Sequence, residues 1–354
     1  MEKVCYPVQV DVAGSELVAD TAPTVSVVIP CYNEERYIGK VLEMLLNQYE
    51  HEHYEIIVVD GRSTDSTREV VEAFIERTPS VRVRLVDNPA RNIPTALNIG
   101  VREATGDVIV RMDAHSIPSP NYVRRCLNLM KGPNVSIVGT AWIIHASAET
   151  RTARAIALAA SHPFGVGDAD YRRTNLTEIQ DVDTVPFGVF HKRLWEQLGG
   201  FNESLLANED YDFNYRARRM GGRVILDPTG PCNYFARASL KDLARQYFRY
   251  GRWKAQMVKL HPLSIRWRQV AAPAFVLSII FLSLSGLWWP QALWLLLSIL
   301  VAYTLLSSIF SFSLSRGRGD LSLLPAISAA FFTMHIAWGG GFLLGLFRPP
   351  RHQG

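Results

Sequence analysis

Charge is what the C-terminal part of this chain lacks. Beyond Gln269 ionisable side chains all but disappear, apart from Arg316, Arg318, Asp320 and the tail, whereas the residues before it are mixed and charged. A single water-soluble body running to the last residue is thereby excluded, and a soluble domain followed by a membrane domain is expected. Cysteine is scarce as well. The four in 354 residues, Cys5, Cys31, Cys126 and Cys232, show neither metal-ligand spacing nor a paired framework. A zinc module and a disulfide scaffold are excluded, and a reducing compartment is expected. The first two dozen residues carry Glu2, Asp11, Glu16 and Asp20 and lack the apolar core of a signal peptide, which predicts that the soluble part stays in the cytosol. The net charge is +4, and no nucleic-acid partner is expected.

What is present alternates. Val25 to Ile29 is short and β-branched and stops at Pro30, which reads as a strand. Asn33-Glu34-Glu35 opens a helix whose apolar Ile38, Val41, Leu42, Leu45 and Leu46 recur at three-and-four spacing. Ile56 to Val59 is a second strand, ending in a loop from Asp60 to Thr67 dense in N-cap residues, before a helix with Val70, Val71, Phe74 and Ile75. Val81 to Val86 alternates with Arg82 and Arg84, which suits an edge strand, and a helix around Pro94 to Ala104 leads to a buried strand, Val108 to Val110. Such alternation predicts an α/β fold with a mostly parallel sheet and right-handed crossovers. Ligands gather beyond the carboxyl ends of such strands, so Pro30, Asp60 and Asp113 are expected around one crevice.

Asp113-Ala114-His115 follows that last strand. A carboxylate and an imidazole one residue apart can turn toward one ion, and this nitrogen-plus-oxygen set suits Mn²⁺ or Mg²⁺ with water and phosphate completing the shell. A short motif of this kind equally describes a histidine with no ligand at all.

The blocks Val28-Ile29-Pro30-Cys31-Tyr32-Asn33-Glu34-Glu35, Val58-Val59-Asp60-Gly61-Arg62-Ser63-Thr64-Asp65, Asn98-Ile99-Gly100, Gly106-Asp107 and Asp113-Ala114-His115, in this order, resemble family 2 glycosyltransferases of the GT-A fold. The resemblance spans about Val25 to Asp227, and within the family the Asp-Ala-His variant is most like the membrane-bound glucosyltransferases of succinoglycan and exopolysaccharide assembly, the ExoA type. It implies a UDP-sugar donor, with Asp60 accepting the uracil N3–H, and with Pro30, Tyr32, Asn33 and Glu34 lining the nucleoside pocket. Read from the residues alone, Asp60 and Asp65 serve equally well as caps of the following helix. The family often carries a second acidic residue where Gly61 stands, so that contact is missing here. Asn98 matches the family's Ala-Arg-Asn-x-Gly block, with Leu97 in place of the arginine; Arg91 is the nearby cation offered instead, or else a solvated loop charge. The resemblance assigns Asp113 both to the donor and, with His115, to the divalent metal, where the family more often places Asp in the last position.

A strand is expected from Val135 to Ile144. Ser161 to Asp183, rich in Gly, Asp, Arg and Asn, resists assignment and is expected as a binding loop over the crevice. Thr184 to Phe190 reads as a strand before a helix at Lys192 to Leu198. Gly199 to Glu203, with Asn208-Glu209-Asp210-Tyr211-Asp212 beyond, resembles the family's acceptor block, which implies Asp210 as general base and Glu209 as an orienting group. The same acidic pair also suits a helix N-terminus, where the macrodipole favours it.

Leu240, Leu243, Tyr247, Tyr250, Trp253, Met257 and Leu260 share one helical face, and Arg245, Arg249, Arg252 and Lys259 another, which predicts an amphipathic helix at a membrane surface. Its Gln-Tyr-Phe-Arg-Tyr and Arg-Tyr-Gly-Arg-Trp runs only partly match the Gln-x-x-Arg-Trp block of processive relatives, so polymerisation is not supported. Three apolar stretches follow, about Val270 to Trp289, Gln291 to Phe312 and Leu321 to Phe347, each near the ~20 residues a span requires; Gly339-Gly340-Gly341 makes the third a candidate re-entrant piece. His335 within it is a packing residue or a functional one.

The expected organisation is thus an extension (1–24), a Rossmann-like GT-A domain (25–237), an amphipathic interface segment (238–268) and a transmembrane helical domain (269–354). The implied activity is inverting, metal-dependent transfer of a sugar, glucose foremost, from a UDP-sugar to a lipid-linked saccharide acceptor, giving a β-glycoside. It would take place at the cytosolic face of the plasma membrane, among membrane lipids and other polysaccharide-assembly enzymes. Transfer to polyprenyl phosphate itself, and nucleotide-sugar sensing without catalysis, are the alternatives.

Overall fold

The computed structural model describes residues 24–49, 53–167, 169–172 and 176–347. The extension expected over 1–24, apart from its last residue, and the tail arginines lie outside these residues.

The chain enters at β1 (Val25–Cys31), crosses through α1 (Ile38–Leu45) to β2 (Tyr54–Asp60), and through α2 (Thr67–Arg77) to β3 (Arg82–Asp87). It then returns through α3 (Ile93–Glu103) to β4 (Val108–Arg111) on the other side of β1. Strands β1 to β4 pair in parallel, and their ends align: Cys31 opposes Asp60, Asp60 opposes Asp87, and Val28 opposes Arg111. The winding direction reverses between β1 and β4, and a crevice opens at the carboxyl ends where the flanking crossovers diverge.

Alternation along these strands divides the core in two. Val27, Ile29, Ile56 and Val58 face α1 and α2, with Leu45 and Phe74. Val28, Ile57 and Val59 face the other layer, with Leu97 and Val101. Gly100 lets α3 lie directly on β1, since a Cβ there would run into Val28. Strand β3 is the edge, as its arginines predicted.

Beyond β4 come β5 (Ser116–Ile117), α4 (Tyr122–Met130), the long β6 (Val135–Ala146), α5 (Arg151–Ala160), the single turn α6 (Pro163–Val166), β7 (Gln180–Asp181), β8 (Val189–His191), α7 (Lys192–Gln197), α8 (Glu209–Arg219) and β9 (Arg223–Ala236). The described sheet has nine strands in the order β3-β2-β1-β4-β8-β6-β9-β5, with β7 on β9. Two readings are corrected here. The strand expected from Thr184 is confined to Val189–His191, because Pro186 has no N–H to offer a ladder. The stretch from Ser161 is not wholly irregular: α6 and a 3₁₀ turn at Asp170–Arg172 lie within it, behind the unanticipated α5. The β6–β9 register shifts between Thr140, which opposes Asp227, and Trp142, which opposes Cys232, so the extra residues lie in β9.

The helix predicted over Leu240 to Leu260 is α9. After it come α10 (Arg268–Ser285), α11 (Pro290–Gly317) and α12 (Leu324–Leu346), the last helices among the described residues. These segments, with the turn before α12, are three helices long and apolar enough to cross a membrane. Apolar residues along α10 and α11, such as Phe281, Leu305 and Ile309, stand open to the surroundings, as helix faces covered by lipid do. Exposed Trp267 precedes α10 and exposed Trp288 and Trp289 follow it, the usual place for interfacial indoles.

Two expectations change. Helix α12 runs unbroken through Gly339-Gly340-Gly341, so no re-entrant break exists there. Instead Gly251 of α9 and Gly341 and Gly345 of α12 let the two backbones touch, as small residues do between closely packed helices. The apolar face of α9 is accordingly turned to protein: Leu243, Tyr247, Trp253 and Met257 are buried, while Arg245 and Arg249 stay exposed.

Candidate active site

One continuous cavity of about 1440 Å³ starts at the carboxyl ends of β1, β2 and β4 and extends to α10, α11 and α12. Of the side chains singled out from sequence, Pro30, Tyr32, Glu34, Arg91, Asp113, His115, Glu209 and Asp210 border it. Asn33, Asp60 and Asn98 do not.

The exceptions have evident structural duties. Asp60 is fully buried; its carboxylate accepts from the Ser63 hydroxyl at 2.6 Å, the Ser63 N–H at 3.1 Å and Arg68 Nη1 at 2.8 Å. It therefore folds the loop that borders the crevice. Asn33, at a positive φ of 55°, accepts from the Thr64 N–H at 2.8 Å and ties the first βα turn to the second. Asn98 donates to Phe201 O and Glu203 Oε1 and accepts from Trp195 Nε1 and the Phe201 N–H, at 2.7–3.0 Å. That set exhausts a carboxamide's capacity, so Asn98 clamps the turn at Gly200-Phe201 and has nothing left for a ligand. Gly61 packs under the Tyr32 ring, where an added Cβ would approach to 3.3 Å, so the ring takes the space of a side chain there.

At the end of β4 the backbone delivers Arg111, Asp113 and His115 in succession. His115 Nδ1 lies 2.8 Å from Glu34 Oε1. Burial alone lowers the imidazole pKa, but the bond to Glu34 and the charges of Asp113 and Glu34 outweigh it, and the net direction is upward. The other ring nitrogen makes no hydrogen bond among the described residues. Asp113 Oδ1 is a buried oxygen that accepts no hydrogen bond, with Arg111 Nη2 no nearer than 3.5 Å. An orphaned carboxylate oxygen and an imidazole oriented through its far nitrogen suit a hard divalent cation. Among the described residues no third His, Cys, Asp or Glu joins them, so such an ion would keep most of its ligands as water and phosphate oxygen.

Across the crevice, Asn208 in the left-handed conformation starts α8, whose first turn holds Glu209, Asp210 and Asp212. Acidic side chains there meet unsatisfied N–H groups, as the Asp210 Oδ1–Tyr211 N–H bond at 2.7 Å shows. The helix-start reading and the site reading thus describe the same residues. Glu209 is buried and paired with Arg111 Nη2 at 2.9 Å. Asp210 borders the cavity, and burial together with neighbouring Glu209 pushes its pKa up to about 7, against the pull of Arg111. Asp212 is fully buried and binds His261 at 2.8 Å, which fixes α8 to the segment leading into α10.

Sequence reasoning passed over several lining residues. Arg111 was legible in principle, being a cation at the end of an otherwise apolar strand. Trp142, Tyr171, Arg172 and Tyr234 had no such signal: Trp142 stacks on Tyr234 at 4.2 Å and meets Tyr171 edge-on at 4.9 Å, and tertiary pairing of β6 with β9 and the 3₁₀ turn brings them together. From α9, Gln246, Tyr247, Arg249, Tyr250 and Trp253 border the cavity.

The sequence model for Glycosyl transferase family 2 matches residues 26–243. Succinoglycan biosynthesis protein ExoA of Rhizobium meliloti is 27% identical over 332 residues, covering 91% of this chain and 94% of that protein. Dolichyl N-acetyl-alpha-D-glucosaminyl phosphate 3-beta-D-2,3-diacetamido-2,3-dideoxy-beta-D-glucuronosyltransferase of Methanococcus voltae is 27% identical over 248 residues, 69% of this chain and 76% of the relative. In fold, the chain is similar to mannosyltransferase PcManGT of Pyrobaculum calidifontis, solved with GDP-Man and Mn²⁺, at a TM-score of 0.57 and 21% identity over 89% of each chain.

Proposed function

The chain belongs to glycosyl transferase family 2, and on that premise we propose that it transfers a hexosyl group, glucose foremost, from a UDP-sugar to a hydroxyl of a polyprenyl-diphosphate-linked oligosaccharide. The observation that carries this reading is the single cavity joining Pro30 and Asp113 at one end to Phe275 and Tyr303 of the apolar helices at the other. A soluble acceptor would need no such continuity with a lipid-facing bundle. The Methanococcus voltae relative is named for transfer to a dolichyl-phosphate-linked sugar, which suits an acceptor held on lipid, and the Rhizobium meliloti relative for succinoglycan biosynthesis.

In this scheme Pro30, Tyr32 and Arg91 border the nucleoside end, and Asp113 and His115 would hold Mn²⁺ or Mg²⁺. Held there, such an ion would supply Lewis-acid stabilisation to the departing diphosphate. Asp210 takes the proton from the attacking hydroxyl, a role for which a carboxylate with pKa near 7 is well matched close to neutral pH. Attack in line from the Asp210 side inverts an α-linked donor to a β-glycoside. Glu209 stays with Arg111 and positions the start of α8. With α10–α12 in the plasma membrane, the catalytic domain faces the cytosol, where nucleotide sugars are made.

The test is an assay of membranes containing the chain with a panel of radiolabelled UDP-sugars, followed by analysis of the labelled lipid. A lengthened lipid-diphosphate oligosaccharide is expected. Label on monosaccharyl polyprenyl phosphate would replace this acceptor, and UDP binding with no turnover of any sugar would remove catalysis altogether.

A further inference from the structure

Arg172 is 7% exposed, yet among the described residues no carboxylate pairs with it. Its guanidinium lies over the rings of Trp142, at 5.0 Å, and Tyr171, at 5.4 Å, and its Nε donates to the Tyr171 hydroxyl at 3.3 Å. Aromatic faces soften the cost of burying the cation but leave most of its N–H donors without a carboxylate partner. Two further buried groups border the same stretch of cavity: Trp142 Nε1, which has no hydrogen-bond partner, and the Tyr247 hydroxyl, whose one polar neighbour is the Arg172 guanidinium and whose own O–H finds no acceptor. A donor-only indole and a phenol O–H without an acceptor, beside an arginine without a carboxylate, call for an anion with several acceptor oxygens.

Resting on the acceptor reading above, we infer that Arg172, Trp142 and Tyr247 form a phosphate site that holds the diphosphate of the lipid-linked acceptor. The donor diphosphate offers the same chemistry, but position favours the acceptor. Arg172 follows α6, and α12 holds α6 through a 2.8 Å contact between His335 Nε2 and Phe164 O. Tyr247 comes from α9, which packs along α12. Tyr247 thus belongs to, and Arg172 follows, an element packed on α12, in the cavity that continues to α10–α12, while Tyr234, stacked on Trp142, reaches to 6.2 Å from the His115 ring; the exposed Arg249 borders the same cavity. An acceptor diphosphate anchored there leaves its lipid to run toward α10–α12 and its sugar to reach toward Asp210.

The experiment measures binding of UDP and of geranylgeranyl diphosphate to the full chain in nanodiscs, the second by quenching of tryptophan fluorescence. Arg172→Met should weaken the lipid diphosphate by roughly tenfold or more, as loss of a charge-assisted contact implies, with UDP affinity unchanged. Arg172→Lys should retain part of the binding. Tyr247→Phe removes a hydroxyl whose one polar neighbour is the Arg172 guanidinium and leaves the ring in place, so it tests the site with little threat to the fold, and about threefold weaker lipid binding is expected. Unchanged lipid binding in all three variants overturns the site. Weakened UDP binding with intact lipid binding assigns the anion to the donor and overturns the acceptor assignment. Should the unaltered chain bind UDP but not the lipid diphosphate, the acceptor reading itself fails and the site falls with it.

Discussion

Glu34 Oε1 lies 2.8 Å from His115 Nδ1, so the turn after β1 and the segment after β4 meet in one hydrogen bond across 81 residues of chain. A glutamate expected beside the nucleoside thus orients an imidazole, leaving Nε2 toward the crevice.

Removing that orientation should act on the metal before it acts on the nucleotide. Loss of such an outer partner typically costs ~10–100-fold in metal affinity. Glu34→Ala is therefore expected to shift a Mn²⁺ titration by that range, read by calorimetry or electron paramagnetic resonance, with metal-free UDP affinity unchanged. Asp113→Ala and excess EDTA should each abolish turnover. Full turnover in EDTA would remove the metal from the reaction.

Glu209 and Asp210 should separate cleanly. Asp210→Asn is expected to lower kcat by ~10²–10⁴ while UDP affinity and Tm do not fall, since the ionised carboxylate is held there against burial and a like charge. Glu209→Gln breaks a buried ion pair with Arg111, a change that typically costs ~3–5 kcal/mol, and should show mainly as lost stability. Near-normal turnover by Asp210→Asn would leave the acidic turn as a helix start only.

The same carboxylate sets a pH dependence. A base acts when deprotonated, so kcat/KM should rise with pH through an apparent pKa of about 7, to which burial and the neighbouring Glu209 charge push Asp210. Asp210→Asn should lose that limb; a flat wild-type profile between pH 6 and 8 would contradict the assignment.

Lys254 offers a stability counterpart. It is 2% exposed on α9, 3.6 Å from the Tyr211 ring, and burial lowers its pKa from 10.5 to about 7. Below about 7 the lysine is charged in both folded and unfolded chains. Between about 7 and 10.5 the unfolded chain binds a proton that the fold does not, so this group makes stability climb with pH, by at most ~1.4 kcal/mol per pH unit. Lys254→Met should flatten that part of a Tm series from pH 6.5 to 9.5, and an unchanged slope would place the lysine in water.

Much of this molecule is legible in local pattern. Strands β1, β2 and β4, buried on both faces, are runs of Val and Ile, and α1, α2 and α9 carry their apolar residues at helical spacing, because burial by a regular element imposes its period. The mostly parallel sheet, the crevice at the carboxyl ends and the three apolar helices follow from the same rules, whereas the order in which the later strands join the sheet does not. What a buried polar side chain bonds to does not. Asn98 sits in a family motif yet spends its carboxamide on Phe201 and Glu203, and Arg111 meets Glu209 across 98 residues. The apolar face of α9 was evident, but whether lipid or α12 covers it depends on the close approach at Gly251 and Gly341, which no local period encodes. Local sequence carries propensity and period; the partner of each buried charge and each apolar face is set by elements distant in the chain, and folding alone brings these together.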